Sequence, residues 1–402
     1  LGLVPCSVVG ALWWWNDRPR RHLAFAEVAL VDEGPRTALQ WLALPEATAE
    51  TRERALLLRA RIAVERDDPA RAARALDQID PAGPNAAAFA YWKGRTLLAA
   101  RQPWLALTWL AKARDHDPRH ADALRWLAVA AYDLGDRNTA VSALKAVTEL
   151  DSADPKPWRT LGLIYKEYLE YELAADALTR CIAIADAPAL ARLELAEVQL
   201  RLGDVERARA LLRECEGSVP EDRRAAALAE CQFLQGELEP MRRTLDAGLA
   251  ANPDHPDLLV QSARLDAAQG RREAALARLD RAVELNPYNA ESLYQRALIL
   301  RGLGRDEEAR RDLDRSEELK RGLARMSLLN DEAAADPGNP EVRYQLGRLC
   351  VELGKTELAA SWYRAALACD PGHRASRLEL NALTTSSLPH RSERPIAGPF
   401  NP

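Results

Sequence analysis

Lysine is rare in this sequence: only seven of the 55 basic residues are Lys, so cationic surface is carried by Arg. Phenylalanine is rarer, with four in 402 residues. The six cysteines (Cys6, Cys181, Cys215, Cys231, Cys350, Cys369) form no Cys-x-x-Cys, which excludes the common dithiol and zinc patterns. Several stand where a small inward-facing residue is due, so buried free thiols are expected. The spacing of Cys350, Cys369 and His373 matches no familiar ligand set, and no metal is expected. Catalytic signatures are missing as well. There is no G-x-x-x-x-G-K-[ST], no G-x-S-x-G, no H-E-x-x-H and no dinucleotide glycine fingerprint. The six His are scattered and the carboxylates are spread along helix faces, so neither an enzyme nor a cofactor is expected. A formal charge of −5 gives no whole-chain field favouring nucleic acid, and no nucleic-acid partner is expected.

What the chain does have is a period. Gly94, Ala128, Gly162, Ala196, Ala229, Ala263 and Ala297 fall 34, 34, 34, 33, 34 and 34 residues apart, and counting back by 34 reaches Ala60 and Ala26. A small residue at such an interval marks close approach of one helix to its neighbour, and a period of 20 to 50 reads as a repeat array. A composition of 48% hydrophobic and 29% charged residues suits amphipathic helices. Within each unit one helix is followed by a tight turn, a second helix and a Pro-marked break. The turns carry Gly135, Gly203, Gly236, Gly270, Gly304 and Gly354, or Pro at the first helical position, as in Asp68-Pro69 and Gln102-Pro103. Breaks follow at Asp117-Pro118, Asn252-Pro253, Asn286-Pro287 and Asp370-Pro371.

The unit around Trp158, Leu161, Gly162, Tyr165, Ala174 and Leu178 resembles the tetratricopeptide repeat family, with Leu169 where a turn Gly is due. The resemblance covers about residues 20–380. It implies an all-α, right-handed superhelical solenoid of about ten antiparallel helix pairs, and a non-enzymatic scaffold that binds partner proteins in a concave groove. Two other readings stand beside it: an accessory or regulatory subunit of an enzyme complex, and a helical-repeat RNA binder. The period breaks once. Gly347 follows Ala297 by 50 residues, one unit plus 16, so an extended helix is expected at about 306–335, protruding from the stack. The tail 383–402, with Pro and no periodicity, is expected to be disordered.

Residues 1–15 carry no charge and end in Trp13-Trp14-Trp15 before an Arg-rich stretch. Fifteen helical residues span about 22 Å, short of a bilayer core. The Trp–Arg junction is nevertheless how a membrane helix meets headgroups, so 1–15 is read as part of a transmembrane or signal-anchor helix. The expected location is accordingly the bacterial inner membrane, with the repeats of 16–382 tethered to it.

In the groove of such an array the residue after each small position points inward, giving Arg61, Arg95, Arg264 and Arg348. One turn earlier on that face stand Tyr91, Arg125, Arg159, Tyr294 and Tyr344, and one turn later Tyr132, Lys166 and Arg301. Arg offers a planar fork for carboxylates and Tyr a rigid amphipathic surface, which together suit extended or acidic segments of partner proteins. The competing reading pairs these cations with Glu27, Glu197, Glu230 and Glu352 on neighbouring first helices. The family's chaperone-binding members grip a terminal carboxylate through Lys and Asn, but no Asn occupies the corresponding places here.

Overall fold

A computed structural model of the chain describes residues 18–32, 34–42 and 49–385. Their regular structure is entirely helical, and the chain divides between Leu134 and Gly135 into two compact units. The first holds α1 (Arg18–Asp32), α2 (Pro35–Trp41), α3 (Ala49–Glu65), α4 (Pro69–Leu76), α5 (Ala86–Ala99), α6 (Pro103–His116) and α7 (Ala121–Asp133). There α1 packs on α2, α3 on α4 and α5 on α6, and α7 lies against α6. The second unit runs α8 (Arg137–Leu150), α9 (Pro155–Glu167), α10 (Tyr171–Ile182), α11 (Ala189–Leu202), α12 (Val205–Glu214), α13 (Glu221–Leu234) and α14 (Leu238–Ala251). It continues with α15 (Pro256–Ala268), α16 (Arg272–Leu285), α17 (Ala290–Gly302), α18 (Asp306–Ala335), α19 (Pro340–Glu352), α20 (Thr356–Cys369) and α21 (Arg374–Thr385). From α9 to α20 the helices pack as successive pairs. The all-α fold of helix pairs that the spacing implied is the fold observed.

The periodic small residues sit where the helices of a pair meet. Ala60, Ala128, Ala196 and Ala229 have no exposed surface. A Cβ added at Gly162 would lie 2.5 Å from Leu178 Cγ, against an ordinary contact of 3.4–4 Å. Helix starts are fixed by side chains that accept from orphan backbone N–H groups. Asp136 and Asp204 cap α8 and α12 through the N–H of Thr139 and Arg207. His120, His255 and His373 cap α7, α15 and α21 in the same way, accepting through Nδ1 from Ala123, Leu258 and Ser376. These three histidines, at turns between helices, therefore have structural work.

Where Gly is missing from a turn, the backbone still takes the left-handed conformation: φ is 55° at Asp67, 57° at Arg101 and 61° at Leu169, against 83° at Gly203. A side chain there costs about 1–2 kcal/mol, while glycine returns about 0.5–1 kcal/mol of chain entropy to the unfolded state. Leu169 is 47% exposed and loses little burial when truncated. Leu169→Gly is thus expected to stabilise the protein by about 0.5–1 kcal/mol, raising the melting midpoint by about 1–3 °C. An unchanged or lower midpoint would show that the Leu169 side chain contributes more than its strain costs.

The long helix α18 spans 30 residues. Its first half pairs with α17, where Arg296 Nε meets Asp312 Oδ2 at 2.7 Å. Its second half is not a solvated spur. Met326, Leu329, Asn330 and Ala333 are buried, Gly322 lies under Leu353, and Asn138 Nδ2 on α8 donates to Asp331 Oδ1 at 2.9 Å. Lys355, in the turn between α19 and α20, reaches Glu167 at the end of α9 at 2.9 Å, 188 positions away. The beginning and end of the second unit therefore touch.

The membrane-anchored location expected from the sequence is corrected by this structure. Among the described residues no helix is long and apolar enough to cross a membrane. Helix α18 has the length, but charged residues recur along it from Asp306 to Glu332. Residues 1–15, on which the expectation of an anchor and a membrane partner rested, lie outside the described residues. Helix α21 continues to Thr385, three residues into the segment expected to be disordered; 386–402 lie outside the described residues.

Candidate functional site

In the first unit Tyr91 and Arg95 meet Trp92 and Trp126, while Arg61 and Arg125 pair within their own helices. Arg61 Nε pairs with Glu65 of its own helix at 2.8 Å, and Arg125 Nη1 with Asp122 at 3.1 Å. Tyr132 is half-buried near the end of α7. Tyr91 is buried, its ring 4.9 Å from that of His120, and its hydroxyl accepts from Arg95 Nη1 at 3.1 Å. Burial pushes the Tyr91 hydroxyl above its usual value, with Arg95 opposing. The Arg95 guanidinium lies over Trp126, its Cζ 3.7 Å from the ring centroid, with Trp92 at 5.7 Å.

In the second unit Arg159, Lys166 and Arg264 are held by carboxylates of a neighbouring first helix. Arg159 donates to Glu194 through Nε at 2.7 Å and Nη2 at 2.6 Å, a bidentate pair. Lys166 pairs with Glu197, and Arg264 reaches Glu230 at 3.5 Å and Gln261 at 3.0 Å. Two cations that sequence reasoning passed over complete the set. Arg223 pairs with Glu197 through Nε at 2.6 Å, and Arg201 lies 3.7 Å from Glu230. Burial would raise the Glu197 carboxyl, but Lys166 and Arg223 outweigh it and hold it below its ordinary range. Of the acids named in the competing reading, Glu197 and Glu230 do pair as it expects. Glu27 instead meets Arg54 at 3.2 Å, and at Glu352 it is the backbone carbonyl that is engaged, by Arg315.

The remaining candidates diverge. Tyr344 turns toward Tyr363 and His373, with ring centroids 5.9 and 5.4 Å apart. Tyr294 is 39% exposed with Lys320 over its ring at 5.5 Å, and Arg301 and Arg348 are exposed. The structure thus gathers Arg159, Lys166 and Arg264 into one ladder and Tyr91 with Arg95 into another cluster. Within the second unit Tyr344 packs elsewhere, against Tyr363 and His373.

Cys181, Cys215, Cys231 and Cys350 are buried free thiols, and Cys369 is exposed. Burial pushes the Cys350 thiol up to about 12. Among the described residues no group of three His, Cys, Asp or Glu could hold a metal ion.

Family profiles described as tetratricopeptide repeat match residues 93–155, 190–221, 279–311 and 327–374. Those segments of the chain carry tetratricopeptide repeats. Three of the matched segments begin within α11, α16 and α18, and the 93–155 match spans α6 and α7, so repeats are found on both sides of Leu134. No curated protein sequence matches the chain. Solved structures that resemble it include a tetratricopeptide repeat protein from Parabacteroides merdae, at 16% identity over 62% of this chain and 99% of that one, with a TM-score of 0.48. Pseudomonas aeruginosa pilF is 20% identical over 52% of this chain and 95% of its own, with a TM-score of 0.42. YrrB, described as a tetratricopeptide repeat protein with an unusual peptide-binding site, is 19% identical over 46% and 95%, with a TM-score of 0.37.

Proposed function

We propose that the chain is a non-enzymatic protein–protein interaction module, holding extended segments of a partner against the first helices of its tetratricopeptide repeats. The observation that carries this reading is the recurrence of one face. Around several of the small residues the same registers carry Arg, Tyr or Trp, as at Tyr91, Trp92 and Arg95 beside Gly94 and at Arg125 and Trp126 before Ala128. A row of shallow, repeated contacts suits an extended chain rather than a small molecule. On the second unit Tyr294, Leu298 and Arg301 share the exposed part of α17.

The test is site-specific photocrosslinking in the cells that make the protein. A benzoylphenylalanine at Tyr294, on a first helix, is expected to capture a discrete partner band, whereas the same group at Arg281, on second helix α16, captures none. Equal capture at both positions, or none at either, would remove the reading.

A further inference from the structure

Each repeat of a solenoid ordinarily contacts only its neighbours. The second unit departs from this at one place. Helix α18 has 30 residues where the second helix α16 has 14. The excess is the insertion that breaks the period between Ala297 and Gly347. Sixteen added helical residues reach about 24 Å. They carry the chain to α8, ten elements earlier.

Three contacts join the ends of the unit there. Met326, 1% exposed, lies against Gly135, its Cε and Sδ 2.8 and 2.9 Å from where a β-carbon would stand. Asn138 Nδ2 donates to both carboxylate oxygens of Asp331, at 2.9 and 3.1 Å. Lys355, in the α19–α20 turn, pairs with Glu167 at the end of α9 at 2.9 Å. The Tyr168 hydroxyl donates to the Gly135 carbonyl at 3.2 Å, so the turn that receives Met326 is itself tied to α9.

These contacts differ in kind from those within the stack. Paired helices meet through fully buried residues such as Leu178 and Leu212. At the closure the Lys355 and Glu167 side chains are 35% and 28% exposed, and Asn138 and Asp331 face water. Polar contacts open to water exchange for hydration at little net cost. Of the three contacts only that of Met326 is apolar, and its partner is a glycine with no side chain. An interface of this composition opens more readily than the elements it joins.

We infer that the far half of α18 and the α19–α20 turn form a releasable clasp on α8 and α9, and that an extended partner segment reaches the first helices of the second unit when the clasp opens. The gate rests on the interaction reading above and adds a moving part to it. With the clasp closed, α17 stands close to α10. Burial raises the Tyr171 hydroxyl of α10 above its usual value, with Arg201 opposing and Glu291 of α17 adding to the rise. A polypeptide laid along α17 must part these helices, and parting them draws α18 from α8.

The experiment follows both the clasp and admission in the full chain. Spin labels at Ser142→Cys on α8 and Leu328→Cys on α18, both exposed positions, report the distance across the clasp, with Cys6 and the exposed Cys369 replaced by Ser. Lys355→Glu sets two carboxylates against each other, and Asn138→Asp does the same opposite Asp331. Each should lengthen the distance by about 5 Å or more in a large fraction of molecules. Glu167→Lys combined with Lys355→Glu restores an attractive pair and should return the wild-type distance, which separates release from a folding defect. Benzoylphenylalanine at Tyr294 should capture about threefold more of its partner band in the two weakened variants, and the wild-type amount in the swapped pair. Glu317→Ala, which removes an exposed pair with Arg321 on the solvent side of α18, should change neither readout. Unchanged distances in both weakened variants, or a swapped pair that fails to restore them, would overturn the clasp. Longer distances with an unchanged or smaller band would overturn the gate. Longer distances with no band at Tyr294 in any variant, wild type included, would remove the interaction reading and leave the clasp standing.

Discussion

Glu194→Ala is expected to destabilise the protein by about 3 kcal/mol, read as a lower urea midpoint at unchanged slope. Glu194 is 1% exposed and takes two short bonds from Arg159, with the Arg223 guanidinium 4.0 Å away. Truncation leaves Arg159, only 19% exposed along its side chain, facing a buried surface with its fork unanswered. The loss is the desolvation of an orphaned charge, which exceeds the net value of the pair itself. Glu194→Gln keeps one acceptor and the shape, and should cost about half as much. Glu65→Ala, at a pair exposed by 41% and 38%, should cost under about 0.5 kcal/mol. Similar midpoints for Glu194→Ala and Glu65→Ala would mean that the ladder contributes nothing beyond surface pairing.

That ladder also changes what the inner cations of the second unit are for. A partner carboxylate that sought Arg159, Lys166 or Arg264 would have to displace one already held by geometry and burial. Those residues join one helix pair to the next, and their cost of release protects them from casual ligands.

The fold was legible because its cause is local and periodic. A small residue every 34 positions has a single steric reason, and Ala60, Ala128 and Ala196 are found fully buried as that reason requires. Choice of ion-pair partner was not legible. It depends on which residue of the next helix, 31 to 35 positions on, comes opposite, and a shift of one residue within a helix turns a side chain by about 100°. Trp126 was legible in principle, since it occupies the register of Glu194, but only a comparison of registers across repeats exposes it. The far half of α18 was misjudged for a different reason. Its Glu317, Glu318, Lys320 and Arg321 lie on the solvent side, while Met326 lies against Gly135 and Asp331 accepts from Asn138, both more than about 190 positions away in the chain. The apolar run of residues 1–15 suggested lipid because apolar side chains read alike whether lipid or protein is to cover them.

Gly162→Val should cost about 3 kcal/mol, at the upper end for overpacking a core. Two effects oppose each other. Replacing a mid-helix glycine improves helix propensity, by about 1 kcal/mol for Ala and less for β-branched Val. Against that, even a single added carbon would stand 2.5, 2.9 and 3.2 Å from Leu178 Cγ, Cδ2 and Cδ1, and Leu178 is fully buried. The side chain cannot swing away, so α9 and α10 must separate along their whole contact. The same 16-residue spacing recurs with Ala in place of Gly, as in Ala196 and Leu212, both fully buried on paired helices, so the helix spacing is set by the pair of side chains together. A double-mutant cycle tests this. Gly162→Ala and Leu178→Ala are each expected to destabilise, the second by about 2–5 kcal/mol through its cavity. Combined, they should cost at least about 1 kcal/mol less than their sum, because the new methyl enters the space that Leu178 vacates. Strict additivity would show that Gly162 is required for some reason other than the approach of Leu178.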